Sequence, residues 1–477
     1  MENKIISNLI WRFAERFGAQ IITFIVSIVL ARLLAPEMYG TIALIMVFLN
    51  ILQVFVDSGL GNALIQKKNA DDKDFSTVFY FNIIICSCLY IGLYILAPSI
   101  SKFYGNPSMT KIIRVCGIIL IISGLKNVQQ AYVARNMLFK KFFFSTLGGT
   151  LFSAVLGISM AYLGAGVWAL VAQHVSNVLI DTIILWIAVK WRPKLFFSFE
   201  RFKHLFSYGW KLLISGLIDT LYNNLRDLVI GKKYSAQELA YYTNGQKIPG
   251  LVVSNINTSI GSVLFPALSK EQDNKILLKN HVRKAISISS YIIWPVMIGI
   301  AACSESIILI LLTDKWLPTV PYLKIACVVF GFLPIHTTNL QVINAMGRSD
   351  VFLKLEIIKK VIGVIVLLIS MRYGVMAIAI SAIFTEITSA FINSYPNTKL
   401  IKYSYFEQIK DVMPSLLLSL FMGSVVLQLN KLSINVFFIL CLQIFTGVII
   451  YLFGSIIFKI KSYRIIIDII KNSRSKV

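Results

Sequence analysis

Charge is scarce in this chain, and acid is scarcer than base. Asp, Glu, Lys and Arg make up 14% of 477 residues, with 46 Lys and Arg against 22 Asp and Glu. A soluble globular protein carries roughly 25% charged residues. With 57% hydrophobic residues and a mean hydropathy of +0.75, the bulk of this chain is solvated by lipid. No long polar segment interrupts the apolar stretches, which leaves no room for a separate soluble domain. Histidine is rare too: His174, His204, His281 and His336 are scattered and form no ligand spacing. The six cysteines all fall within apolar stretches, where a thiol behaves as a small hydrophobe, so neither a disulfide framework nor a metal site is indicated. A Walker A sequence is missing, which argues against an ATP-driven pump, and nothing calls for a cofactor. The first apolar stretch holds Arg12, Glu15 and Arg16 and no small-residue cleavage site follows it. It reads as a retained helix rather than a signal peptide, with the mature protein expected to start at or near Met1.

What the chain does have is apolar runs of membrane-spanning length. They predict helices near 10–34, 39–60, 75–98, 111–134, 142–162, 166–189, 205–230, 239–266, 284–303, 318–344, 353–371, 374–396, 409–429 and 434–458. With a cytoplasmic N-terminus, Lys4, Lys67, Lys68, Lys73, Arg135, Lys140 and Lys141 fall on the cytoplasmic side, as do the cations of 190–203, 270–284, 348–354, 399–410 and 459–476. The opposite side receives Arg32, Lys102, Lys111, Lys232, Lys233, Lys315, Arg372 and Lys431. This asymmetry is the positive-inside pattern, and it puts both termini in the cytoplasm of a cell with the protein in its inner membrane. The net charge of +24 is thereby topological, and nucleic acid is not needed to explain it.

The chain also resembles itself. Gln130, Ala134, Val155, Leu156, Ile158, Ser159, Met160 and Tyr162 match Gln341, Ala345, Val366, Leu367, Ile369, Ser370, Met371 and Tyr373 at one constant offset. The displacement is six helices, which preserves orientation and describes a parallel repeat. The fold class expected is an all-α polytopic membrane protein of about fourteen transmembrane helices, two six-helix lobes plus two extra C-terminal helices. The boundaries are 1–203, 204–398 and 399–458, followed by a basic tail at 459–477. That tail carries Ile465, Ile466, Ile469 and Ile470 on one face and suits an anionic leaflet.

Two stretches carry a resemblance to a known family: LARLLAPEMYGTIAL at 30–44 and VDSGLGNALIQKKNADDKDFSTVFYFN at 56–82. With the helix layout they resemble the polysaccharide transporter family, the O-antigen and exopolysaccharide flippases of the multidrug/oligosaccharidyl-lipid/polysaccharide superfamily. The resemblance implies two lobes flanking a central cavity that opens alternately to either side. It also implies oligosaccharide repeat units on an undecaprenyl pyrophosphate carrier as substrate, with polysaccharide polymerase and glycosyltransferase partners. Locally, Pro36 suits a helix start, where its missing N–H is tolerated, while Gly59 and Gly61 suit a helix exit.

Ionisable residues in the hydrocarbon cost roughly 2.5–3.5 kcal/mol each and need a partner, a cavity or a nearby interface. Arg12, Arg16, Gln20, Thr23 and Ser27 share one face of the first helix; Asn50, Gln53 and Asp57 form a stripe on the second, with Asp57 the natural counter-ion to the arginines. Snorkelling of Arg12 to the headgroups is the alternative. Asp219, Asn223 and Arg226 share a face of the seventh helix, and Asn244, Lys247, Asn255, Thr258 and Ser262 line the eighth, with Pro249 set to kink it. Lys126, Asp181, Lys359, Lys360 and Glu386 are further buried candidates. A pyrophosphate suits Arg bidentately and Lys as a point charge, so Arg16, Lys126 and Lys247 would hold the headgroup while Asn and Gln meet sugar hydroxyls. Asp219 or Glu386 would titrate and couple the cycle to protons; the coupling ion, H+ or Na+, stays open.

Rival functions are weighed on the same residues. Asp72-Lys73-Asp74 spells the Asp-x-Asp of metal-bound nucleotide sugar sites, but its short loop reads as a solvated charge run. A membrane polymerase or ligase would be expected to carry a large external loop, and none is seen. A multidrug antiporter of the same superfamily should have an acidic cavity; this one reads as mixed and rather basic. The lipid II flippase branch remains a neighbour.

Overall fold

The computed structural model describes residues 2–57, 59–271 and 274–474. Of the residues named above, the side chains of Lys4, Ser262, Ile469 and Ile470 lie outside the described ones. Every regular element among the described residues is helical. The first compact unit, Met1–Ala240, holds α1 (Glu2–Leu33), α2 (Pro36–Asp57), α3 (Leu60–Gln66), α4 (Asp72–Tyr104), α5 (Met109–Arg135), α6 (Phe139–Tyr162), α7 (Val167–Ala188) and α8 (Phe199–Lys233). The second, Tyr241–Val477, holds nearly all of α9 (Ala236–Lys270), then α10 (Lys275–Ala302), α11 (Ser304–Leu311), α12 (Val320–Gly331), α13 (Leu333–Ala345), α14 (Ser349–Ser370), α15 (Val375–Leu400), α16 (Tyr405–Gln428), α17 (Val436–Ile457) and α18 (Lys461–Arg474).

Eleven helical segments among the described residues are long and apolar enough to cross a membrane. Helices α5, α8 and α14 also have the length and carry charges within it: Lys111, Arg114 and Lys126 in α5, Lys211, Asp219, Arg226 and Asp227 in α8, and Lys354, Glu356, Lys359 and Lys360 in α14. The protein is therefore multi-pass. Two predicted runs are interrupted. The run 39–60 stops at Asp57, and Gly59, at φ 66°, turns the chain into α3, which places Gly61 inside a new helix rather than at an exit. The run 318–344 breaks into α12 and α13 around Phe332, with Pro334 in the first turn of α13, where no intrahelical donor is lost.

The turns beside the matching stretches are of one kind, although they lie one residue out of that offset. α5 ends with Met137 at φ 54° and Leu138 N–H bonded to Val133 O, while α13 ends with Gly347 at φ 69° and Arg348 N–H bonded to Ile343 O. Both turns satisfy the last carbonyls of their helix with a left-handed residue.

In the first unit, α2 and α8 run antiparallel with very small residues between them. A Cβ on Gly40 would stand 1.6 Å from Ala236 O, past α8 at the start of α9, and one on Gly59, just past α2, would stand 2.6 Å from Gly209 O of α8. Gly231 likewise admits the Leu44 side chain. An apolar core of Leu60, Leu64, Phe75, Phe79, Val128 and Leu185 surrounds Trp191 and Leu205, fastening the α7–α8 connection under α3 and α4. In the second unit, Leu278, Val282, Ile286, Val342 and Tyr403 build one core, and Tyr291, Met422 and Tyr451 another.

Candidate functional site

The polar residues of α1 divide between two environments. Arg12 Nη1 donates to Glu15 Oε2 at 2.6 Å, Thr146 Oγ1 of α6 donates to Glu15 Oε1 at 3.2 Å, and the guanidinium lies over Phe142 at 5.2 Å. Arg12 is thus bound into the α1–α6 contact, and the expected pairing with Asp57 is not made. Glu15, one turn away on the same helix and buried, reaches the arginine without spanning to α2. Asp57 is exposed, accepts from Asn127 Nδ2 at 3.3 Å, and through Asn127 is linked to Asn82 Nδ2 at 3.3 Å. Arg16 is exposed, without an ion-pair partner among the described residues, and Gln20 is half-buried beyond it.

Lys126, expected to serve a headgroup, is spoken for. Its Nζ lies 2.6 Å from Asp181 Oδ2, tying α5 to α7 within the first unit. The backbones of α6 and α7 meet beside this pair, where a Cβ on Gly149 would stand 2.8 Å from Asn177 O. On α8, Asp219 and Asn223 are exposed and Arg226 is half-buried, at steps of four and three along one face.

Within Asp72-Lys73-Asp74, Asp72 and Lys73 are exposed as a solvated run requires, but Asp74 is not. Asp74 is completely buried at the N-terminus of α4, forms a capping box with Asp71, and accepts from Lys67 Nζ at 2.8 Å and Arg201 Nη1 at 3.0 Å. Arg201 also reaches Asp71 at 2.6 Å, Lys194 pairs with Asp72 at 2.8 Å, and the Lys194 and Ser198 amides donate to Ser76 and Thr77 hydroxyls. Arg135 closes the C-terminus of α3 by donating to the carbonyls of Leu64, Lys67 and Lys68. The motif residues therefore act as a latch that holds the 189–198 connection on α4.

In the second unit, α9 runs through Pro249 and carries Asn244 buried, Lys247 exposed, and Asn255 exposed with its Nδ2 donating to Leu251 O at 2.9 Å. Glu386 Oε2 lies 2.9 Å from His336 Nε2, at an angle unsuited to a hydrogen bond, and His336 Nδ1 meets Asn393 Nδ2 at 3.2 Å. Alongside, Asn339 bonds Gln408 at 2.8 Å and accepts from Asn397 at 2.7 Å, all three buried. This knot joins α13, α15 and α16. The partners of His336 are distant in sequence, and only the packing of α13 on α15 brings them together. Lys359 is held by Glu356 at 2.5 Å one turn earlier. Among the described residues no group of His, Cys, Asp and Glu could hold a metal ion.

The profile of the polysaccharide biosynthesis protein family matches residues 29–321. The chain belongs to that family. The chain is similar to the teichuronic acid biosynthesis protein TuaB of Bacillus subtilis, 29% identical over 307 residues. That match spans 62% of each chain, less than two thirds of the relative's length. The lipopolysaccharide biosynthesis protein WzxC of Escherichia coli is 24% identical over 394 residues, 81% of this chain and 77% of that one. Among solved structures, the lipid II flippase MurJ in an inward closed conformation superposes with a TM-score of 0.79 at 19% identity, covering 96% of this chain and 100% of that one, which shows a common fold. On that frame, the family member described here offers an exposed guanidinium and ammonium, Arg16 and Lys247, with the amides Asn223 and Asn255 exposed as well. Such groups can hold anions and sugar hydroxyls.

Proposed function

We propose that the protein is a flippase that moves undecaprenyl-pyrophosphate-linked oligosaccharide repeat units from the cytoplasmic to the external leaflet by alternating access, for surface polysaccharide synthesis. The observation that carries this reading is the family match over residues 29–321 on an all-helical, multi-pass frame. In this reading Arg16 and Lys247 take the pyrophosphate, Gln20, Asn223, Asn244 and Asn255 meet the sugars, and Asp219 or Glu386 binds the coupling ion. Asp57 and Arg226 shape the same path, and Arg12 and Lys126 support it from within the first unit. The protein works in the inner membrane with both termini cytoplasmic, supplied by glycosyltransferases and feeding a polymerase. It is not an enzyme in this reading, because the cargo crosses chemically unchanged.

The test is export. In cells depending on this gene for surface polysaccharide, Arg16→Ala and Lys247→Ala should each abolish it at unchanged protein level, since a lost charge-assisted hydrogen bond costs about 1.5–3 kcal/mol, tenfold or more in affinity. Arg16→Lys should restore part, keeping the charge without the fork. Full export by both well-expressed alanine variants would remove these residues from the path. Normal surface polysaccharide in a strain deleted for the gene would remove the function.

A further inference from the structure

A groove of about 900 Å³ lies in the second unit, where α10, the start of α16 and the junction of α17 with α18 meet. Its charged and apolar linings are segregated. One end carries Lys410, Lys459 and Lys461, all exposed and none in an ion pair among the described residues. Its acid, Asp411, is already neutralised by Arg283 at 2.7 Å and accepts from the Tyr403 hydroxyl at 2.8 Å. Away from this end run Met413, Leu417 and Phe421, spaced four apart on α16 and all exposed. At 1.5 Å per residue they form an apolar track of about 12 Å beneath the cations.

The junction is built to present one of those lysines. The last turn of α17 closes with Lys459 N–H bonded to Ile456 O and Ile460 N–H bonded to Ser455 O. That arrangement places Lys459 at φ 51°, the left-handed conformation where glycine is at home and a lysine is strained. The chain keeps a long cation where the turn alone would favour glycine. Beyond it, α18 folds back onto the unit through Tyr463 and Ile466, holding Lys461 at the mouth of the groove.

We propose that this groove is a binding site for an anionic phospholipid, its phosphodiester held by Lys410, Lys459 and Lys461 and an acyl chain laid along Met413, Leu417 and Phe421. Separated cations and apolar track match the head and tail of a lipid, and three lysines with no free acid discriminate against zwitterionic headgroups. The site uses none of the residues of α1, α8 and α9 assigned to the cargo and does not depend on the flippase reading.

The experiment uses the purified, delipidated full chain in neutral detergent, with phosphatidylglycerol, phosphatidylcholine or inorganic phosphate added and bound lipid counted by native mass spectrometry. Phosphatidylglycerol should be retained in preference to phosphatidylcholine, and the preference should fall about fivefold for each lysine removed. Lys459→Gly is the informative variant, because it relieves the strained turn and should fold at least as well while losing the charge. Lys410→Gln/Lys461→Gln should remove most of what remains. Equal retention of the two lipids, unchanged preference in Lys459→Gly and the double variant, or displacement of phosphatidylglycerol by equimolar inorganic phosphate would each overturn the proposal.

Discussion

The Lys126–Asp181 pair allows a quantitative test of whether a buried cation serves the fold or the cargo. The ions are 2.6 Å apart with side chains 17% and 9% exposed, and Asp181 Oδ1 has no hydrogen-bond partner. The carboxylate therefore depends on Lys126 for most of its compensation. At an effective dielectric of about 20, unit charges at that distance attract by about 6 kcal/mol, much of it offset by desolvating both ions. Breaking such a pair from one side costs about 3–5 kcal/mol, because the remaining charge stays buried. Lys126→Met and Asp181→Leu should each lower unfolding free energy in detergent by that amount, about two to four decades in the folding equilibrium constant. The Lys126→Met/Asp181→Leu double variant should regain most of it, since an apolar pair of similar volume fills the site. Single effects below about 1 kcal/mol, or effects that simply add, would refute the structural reading. Lys126→Met that folds normally yet exports nothing would return this lysine to the cargo.

Other expectations follow from the same geometry. Arg12→Ala should reduce folded protein by stranding buried Glu15, whereas Arg16→Ala should leave stability within about 0.5 kcal/mol; thermal unfolding of both variants separates them. Asp74→Asn leaves Lys67 and Arg201 without their shared buried carboxylate, so the 189–198 connection should become susceptible to limited proteolysis at levels that spare the parent protein. At the start of α14, the hydrogen bond from Arg348 holds the Asp350 carboxyl at about 2, below its ordinary value. A depressed folded-state pKa contributes stability above the ordinary pKa and loses it as pH falls. The difference between the parent and Asp350→Asn should therefore be constant above about pH 4 and vanish toward pH 2, a trend absent if the pair does not form.

The membrane class and most helices were legible in the sequence because an apolar run of about twenty residues has few other readings. Of the residues that periodicity picked out, Arg16, Asp219, Asn223, Lys247 and Asn255 are exposed. Spacing along one helix, however, does not say which neighbour it packs against. Lys126 and Asp181 were both visible as buried charges, but their pairing depends on α5 meeting α7. Asp57 is the counter-ion expected for Arg12, yet Glu15, one turn away on the same helix, is its partner. The knot of His336, Glu386 and Asn393 was hidden for the same reason, its members being brought together by the packing of α13 on α15. A short charged loop is usually solvated, and Asp72 and Lys73 are exposed, but the fold supplies the Lys67 and Arg201 that enclose Asp74.

The glycine seam between α2 and α8 bears on how the chain is made. With Lys211, Asp219, Arg226 and Asp227 in its length, α8 is a poor substrate for insertion on its own, each such charge costing about 2.5–3.5 kcal/mol near a helix centre. Its close fit along α2, with Gly231 against Leu44 and Gly209 against Gly59 just past the end of α2, supplies a preassembled surface on which it can partition out of water. Biogenesis would then treat the first eight helices as one delivery, with α8 retained by its predecessors rather than by its own hydropathy. Cutting the gene after Ala240 and expressing the halves together should leave α8 stably embedded. Cutting it after Ser198, ahead of α8, should send that helix to the proteases unless the first fragment is present, and its survival alone would show that the seam is not what holds it.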